Sequence, residues 1–190
     1  MKLITEHTNE IEYLTEGKGK EQYIKGIFMQ SDIKNQNGRV YPHAVLQKEV
    51  KNFNTKYVNE GRALGELDHP DSSVVNLNNV SHNVLEMHWK GKDLVGTVEV
   101  LGTPAGNILK ELFKSGIKLG ISSRGLGSVE SISEDGGEEV QDDFELIAFD
   151  FVSNSSSGLF VMISPLAEEF LKCLLLPIRC INFDTWRGEP

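Results

Sequence analysis

Residues 80–89 and 94–101 are two apolar-rich runs separated only by Lys90-Gly91-Lys92-Asp93. That spacing is a hairpin signal and commits the middle of the chain to antiparallel pairing. Further strands are expected at 23–29, 63–67, 118–123, 126–132 and, with a bend, 140–152. Only three segments read as helices in the folded part. One opens at Pro42 and carries Val45, Leu46, Val50, Phe53 and Tyr57 on one face, with Gly61 as its stop. The second follows the Thr103-Pro104 cap, with Ile108, Leu109, Leu112 and Phe113 as its apolar face and Gly116 as its stop. The third runs from Pro165 through Leu175. Strands outnumber helices and no regular βαβα alternation appears, which disfavours a doubly wound parallel sheet.

The two ends read differently. Residues 1–20 are polar, with weak helical spacing at Ile4, Ile11 and Leu14 and a joint at Gly17-Lys18-Gly19-Lys20. They read as a detachable arm or as a frayed N-terminal helix, in either case outside the core. Residues 21–176 form the expected domain and 177–190 a tail. The chain has 190 residues, enough for one domain with a sizeable core. Its net charge of −9 argues against broad contact with nucleic acid phosphates. No apolar run approaches the roughly 20 residues a membrane helix needs, and the N-terminus lacks the apolar core of a signal peptide. Two cysteines, Cys173 and Cys180, are too few for a disulfide framework, so a reduced, intracellular compartment is expected.

Three segments concentrate reactive groups. In Gly65-Glu66-Leu67-Asp68-His69-Pro70, a histidine stands where a strand becomes a loop, suited either to a general base or to an ordinary structural role. In Gly120-Ile121-Ser122-Ser123-Arg124-Gly125-Leu126-Gly127, two serines end an apolar strand among glycines. Close substrate approach and turn-freed N–H groups suit a nucleophile, and a plain β-bulge suits the pattern too. It is not the Gly-x-Ser-x-Gly elbow, because Arg124 replaces the glycine. The third is Asp150, which interrupts an apolar strand between Phe149 and Phe151. A buried carboxylate needs a partner, either a histidine N–H or backbone N–H groups.

Together, "ELDHP", "GISSRGLGS" and "FDFVSNSSS", with "NGRVYPHAVL" upstream, resemble the prohead maturation proteases of T-even-type tailed phages. These are grouped with the herpesvirus assemblin fold. The resemblance runs from about Tyr23 to Glu169. It implies a mostly antiparallel, closed β-barrel flanked by helices, of α+β class. It implies a serine endopeptidase that cleaves scaffold and capsid proteins and itself inside the prohead, in the host cytoplasm, with no cofactor. It implies Ser122 as nucleophile with Ser123 as the one-residue alternative, His69 as base, and Asp150, or failing that Glu145, as the third member. Ser123, Arg124 and Asn154 are the implied oxyanion or supporting residues. Ser155 stands where the family pattern leads us to expect proline. A preference for Glu two positions after an aliphatic residue marks Leu14-Thr15-Glu16-Gly17 as an autocleavage site, which would make the chain a zymogen. Leu109-Lys110-Glu111 and Leu166-Ala167-Glu168 also fit the pattern, the former inside a helix. The expected partners are scaffold and capsid proteins and other copies of the chain, without nucleic acid or membrane.

Two alternatives belong to other classes. A non-catalytic assembly module would also use Gly-Ser turns and a strand Asp. A metal-dependent hydrolase would draw on His69, His82 and His88 with Asp68 or Glu66. However, His82 and His88 would lie on one strand face about 20 Å apart, too far to share one metal ion.

Overall fold

The computed structural model describes residues 2–8, 11–15, 22–132 and 136–153. The expected helix from Pro165, the tail, Asn154, Ser155 and the Glu16–Gly17 bond lie outside them.

The hairpin forms as expected. β6 (Val80–Lys90) and β7 (Asp93–Val100) pair antiparallel, and Gly91 turns between them at φ +63. They lie within a five-stranded sheet with β2 (Ile11–Thr15), β3 (Gln22–Gln30) and β5 (Leu64–Glu66), in the order β2-β3-β7-β6-β5. A second sheet places β8 (Gly120–Gly127) between β1 (Lys2–Thr8) and β11 (Glu145–Val152), both antiparallel to it. A small third sheet joins β4 (Arg39–Val40), β10 (Glu138–Val140) and β9 (Val129–Ser131). Helix α1 (His43–Phe53) runs on into a π-helical turn, Asn54–Val58. Helix α2 (Pro104–Lys114) is capped by Thr103, whose hydroxyl oxygen accepts the Gly106 N–H at 3.0 Å. The same hydroxyl donates to the Val80 carbonyl, tying the cap to β6.

The core lies between the two larger sheets and α1. Phe149 of β11 meets Phe28 of β3 at 4.9 Å and Phe53 of α1 at 5.8 Å. Phe151 meets Phe113 of α2 at 5.7 Å.

The closed barrel is not what the chain forms: among the described residues the sheets are open. Closure requires an unbroken ladder around the whole ring. The five-stranded sheet ends at β2 and β5, and the three-stranded sheet at β1 and β11. Among the described residues a single parallel bridge, Leu67 to Phe151, pairs the two at the end of β5, which is three residues long. The strand-rich, mainly antiparallel character with flanking helices is as expected.

Three local expectations also change. Ile4 is buried in the core, and residues 2–8 and 11–15 are strands rather than helix. The break expected between residues 123 and 126 is absent, since β8 runs straight through. Its glycines serve packing instead: a Cβ on Gly125 would sit 2.4 Å from the Phe144 ring, and one on Gly127 3.0 Å from the Phe144 backbone. Finally, a bulge between Val84 and Glu86 reverses the side-chain parity of β6, so His82 is buried and His88 exposed.

Candidate active site

β11 pairs with β8 so that Asp150 stands opposite Ser122. Residues opposite one another in an antiparallel ladder project to the same face, and so do residues two apart. Ser122, Arg124 and Asp150 therefore share one face. Ser123 stands opposite Phe149, on the face that enters the core. The two adjacent serines are thus in different surroundings.

His69 reaches the Asp150 face through a kink. Asp68 has φ 69, in the left-handed region that few non-glycine residues occupy. Its N–H donates to the Phe151 carbonyl at 2.8 Å, and its own carboxylate accepts the His69 N–H at 2.9 Å. The turned chain brings His69 Nδ1 to 3.0 Å from Asp150 Oδ2. Ser122 is fully buried, and its Oγ has no hydrogen-bond partner among the described residues. A buried hydroxyl without a partner carries a desolvation cost.

Beneath this set lies a buried ion cluster. Arg124, Glu66 and Asp150 are all fully buried. The Arg124 guanidinium lies beside the Asp150 carboxylate, with Nη2 3.2 Å from Oδ1 and Nε 3.0 Å from Oδ2, the latter at ion-pair distance without hydrogen-bond alignment. Nη2 also donates to Glu66 Oε1 at 3.0 Å, and Nη1 to the Ser72 carbonyl at 2.7 Å. The Glu66 N–H donates to Asp150 Oδ1 at 3.0 Å. Arg124 thus faces carboxylates and the loop after His69. The Ser123 and Arg124 amides lie in a strand flanked on both sides by ladders, not in a turn. Glu145 is exposed and stands opposite Leu126, at the other end of β11 from Asp150.

His82 packs below the same strand. Its Nε2 lies 2.9 Å from the Phe149 carbonyl, which can only accept, so Nε2 carries the proton and Nδ1 accepts from the Ser81 hydroxyl at 2.8 Å. Burial lowers its pKa from 6.5 to about 4, against the opposing pull of the Asp150 charge and the Phe149 bond. Both ring nitrogens are engaged, which leaves His82 unsuited to a metal. No group of three His, Cys, Asp or Glu side chains among the described residues is arranged to hold one. No helix among them is long and apolar enough to cross a membrane.

The sequence offered Glu66 only as a metal ligand, yet it is built into the Arg124–Asp150 cluster. Its signal was the same as that of Asp150: a charged residue inside an apolar strand, here residues 63–67.

Serine, histidine and aspartate are the residue types of a Ser-His-Asp triad; here the Asp–His contact is formed, while Ser122 Oγ makes no hydrogen bond among the described residues. The family model for the prohead core protein serine protease matches residues 6–166. The prohead core protein protease of Enterobacteria phage T4 is 38% identical over 126 residues, which cover 65% of this chain and 59% of that protein. The solved structure of the bacteriophage T4 capsid assembly protease superimposes with a TM-score of 0.75 at 31% identity, covering 80% of this chain and 97% of that one. The chain belongs to the prohead core protein serine protease family. It spans 59% of the length of the curated relative it matches.

Proposed function

We propose that the chain is a serine endopeptidase of the phage prohead that cuts scaffold and capsid proteins during shell maturation. The observation that carries this is the 3.0 Å contact of His69 with Asp150, on the face that bears the unpartnered Ser122 hydroxyl. Asp150 fixes the imidazole orientation and tautomer. His69 takes the Ser122 proton as Oγ bonds to the peptide carbonyl carbon. The tetrahedral adduct collapses, the C–N bond breaks, and His69 gives the proton to the departing amine. Water then repeats the sequence on the acyl-enzyme. The T4 relatives are named for proteolysis and capsid assembly, which supports the choice of substrates.

Ser122→Ala should abolish cleavage of a Glu-containing test peptide by a factor of about 10³ or more while the chain stays folded, because the triad acts as a unit. Ser123→Ala should retain substantial activity. The reverse result would move the nucleophile by one residue, and full activity in both variants would end the peptidase reading.

Self-processing belongs to the same proposal. A cut after Glu16, with Leu14 two positions earlier, would separate β1 and β2 from the domain. Because β1 pairs along β8, placing His7 opposite Ser122, its release would open the edge of the nucleophile strand to an incoming peptide. N-terminal sequencing of the activated protein should begin at Gly17, and Glu16→Gln should delay processing. An active protein that still begins at Met1 would contradict this step and leave the triad untouched.

A further inference from the structure

The buried cluster behind Asp150 carries more charge than its architecture needs. Glu66, Asp150 and Arg124 are fully buried, and ionised they sum to one net negative charge. Arg124 alone would pair Asp150. Glu66 adds a second carboxylate to the same guanidinium, and only one of its oxygens is used: Oε1 accepts from Arg124 Nη2 and, at 3.0 Å, from the Asn76 N–H. Oε2 is buried with no hydrogen-bond partner among the described residues. A glutamine could accept both bonds through its amide oxygen without the cost of a buried charge. A second carboxylate on the same guanidinium is therefore more than these hydrogen bonds require.

Arg124 also spans the site mechanically. One guanidinium binds Asp150 on β11, Glu66 on β5 and the Ser72 carbonyl three residues past His69. Glu66 in turn holds the Asn76 N–H further along the same loop. Both ends of the Asp150–His69 contact are therefore referred to one planar group, whose fork geometry a lysine cannot copy.

We propose that Glu66 and Arg124 are positioning residues for His69: Arg124 fixes the Asp150 carboxylate and the His69 loop in one geometry, and the surplus negative charge contributed by Glu66 favours the imidazolium that forms during the reaction. This deepens the peptidase reading and rests on it for its catalytic meaning, although the electrostatic coupling exists whatever the chain cleaves. Among the side chains described, the charged or titratable groups of this cluster are Asp150 on β11, which contacts His69, with Arg124 on β8, Glu66 on β5 and His82 on β6 grouped about Asp150, and Asp68 adjacent to His69 in the chain.

Opposite substitutions in the cluster must push His69 in opposite directions, which a merely structural role would not do. Glu66→Gln removes a negative charge and should move the His69 NMR titration midpoint toward acid by roughly one pH unit relative to the unsubstituted chain. Arg124→Gln removes a positive charge and should move it toward alkali. Arg124→Lys should keep the midpoint near its starting value while lowering kcat, because the charge stays and the fork is lost. The titrations are done in a Ser122→Ala background, so they need no activity. The acid limb of kcat/KM, measured with Ser122 intact, should follow the same order. An unchanged midpoint in Glu66→Gln, or shifts of the same sign in Glu66→Gln and Arg124→Gln, would overturn the proposal. So would a Glu66→Gln chain that cannot fold, since that would assign the charge to stability. Because Arg124→Gln leaves two buried carboxylates unpaired and risks unfolding, Glu66→Gln alone is decisive. Shifted midpoints in a chain whose wild type cleaves nothing would sink the peptidase reading while leaving the coupling in place.

Discussion

At the scale of single residues, His82 shows how burial turns a side chain into a pH liability. It is held neutral, donating to the Phe149 carbonyl and accepting from Ser81, with its ring 4.7 Å from that of Phe151. Its pKa falls from 6.5 to about 4 on folding, so the unfolded chain takes up the proton first as pH drops. Its contribution is complete above pH 6.5 and is lost progressively as pH falls toward 4. Over that window the loss amounts to roughly 3 kcal/mol. Urea unfolding midpoints should therefore decrease between pH 7 and pH 4.5, and a His82→Gln variant that still folds should show a flatter dependence. The opposite fate of His88 explains why a metal site looked conceivable from sequence. Even spacing predicts a shared face, but the bulge near Leu85 is a pairing event between strands, with no local signature.

Among elements, the seam where β5, β6 and β11 meet is the most constrained. A Cβ on Gly65 would lie 2.0 Å from the Phe149 carbonyl oxygen and 2.3 Å from His82 Nε2. Neither yields easily, since the two are bonded to each other and the His82 ring is packed on Phe151. Gly65→Ala should cost about 3 kcal/mol, toward the upper end of overpacking penalties, and should depress activity through the site as well as stability. Thermal unfolding of the variant checks this, and an unchanged Tm would contradict the packing described. Elements set by local chemistry were legible in the sequence: the β6–β7 hairpin, the Thr103-Pro104 cap, the turns at Gly61 and Gly116. Asp150 was legible because a charge in an apolar strand demands a partner. β8 was misread as two strands because Gly125 and Gly127 look like a turn. They exist to admit Phe144, which lies about twenty residues on and arrives only in the folded chain. The different surroundings of Ser122 and Ser123 are likewise a matter of strand parity, set by the register with β11.

For the molecule as a whole, the site forms where two open sheets touch. The five-stranded sheet ends at β5, which delivers Glu66 and the loop to His69. The three-stranded sheet delivers Ser122, Arg124 and Asp150, and the Leu67–Phe151 bridge joins the two. The proposed function therefore depends on the seam between sheets, and the N-terminal strand β1 lies directly along β8, the strand that carries Ser122. Ser122 is closed to solvent in this arrangement, so its reactivity should depend on release of that strand. The most direct test is to treat the chain with a fluorophosphonate, before and after self-processing, and to locate the adduct by mass spectrometry. The account predicts one adduct per chain, on Ser122, slow to form on the intact chain, faster on the processed one, and absent in His69→Ala. An adduct on Ser123 or any other residue, or labelling of Ser122 that is indifferent to His69, would contradict it.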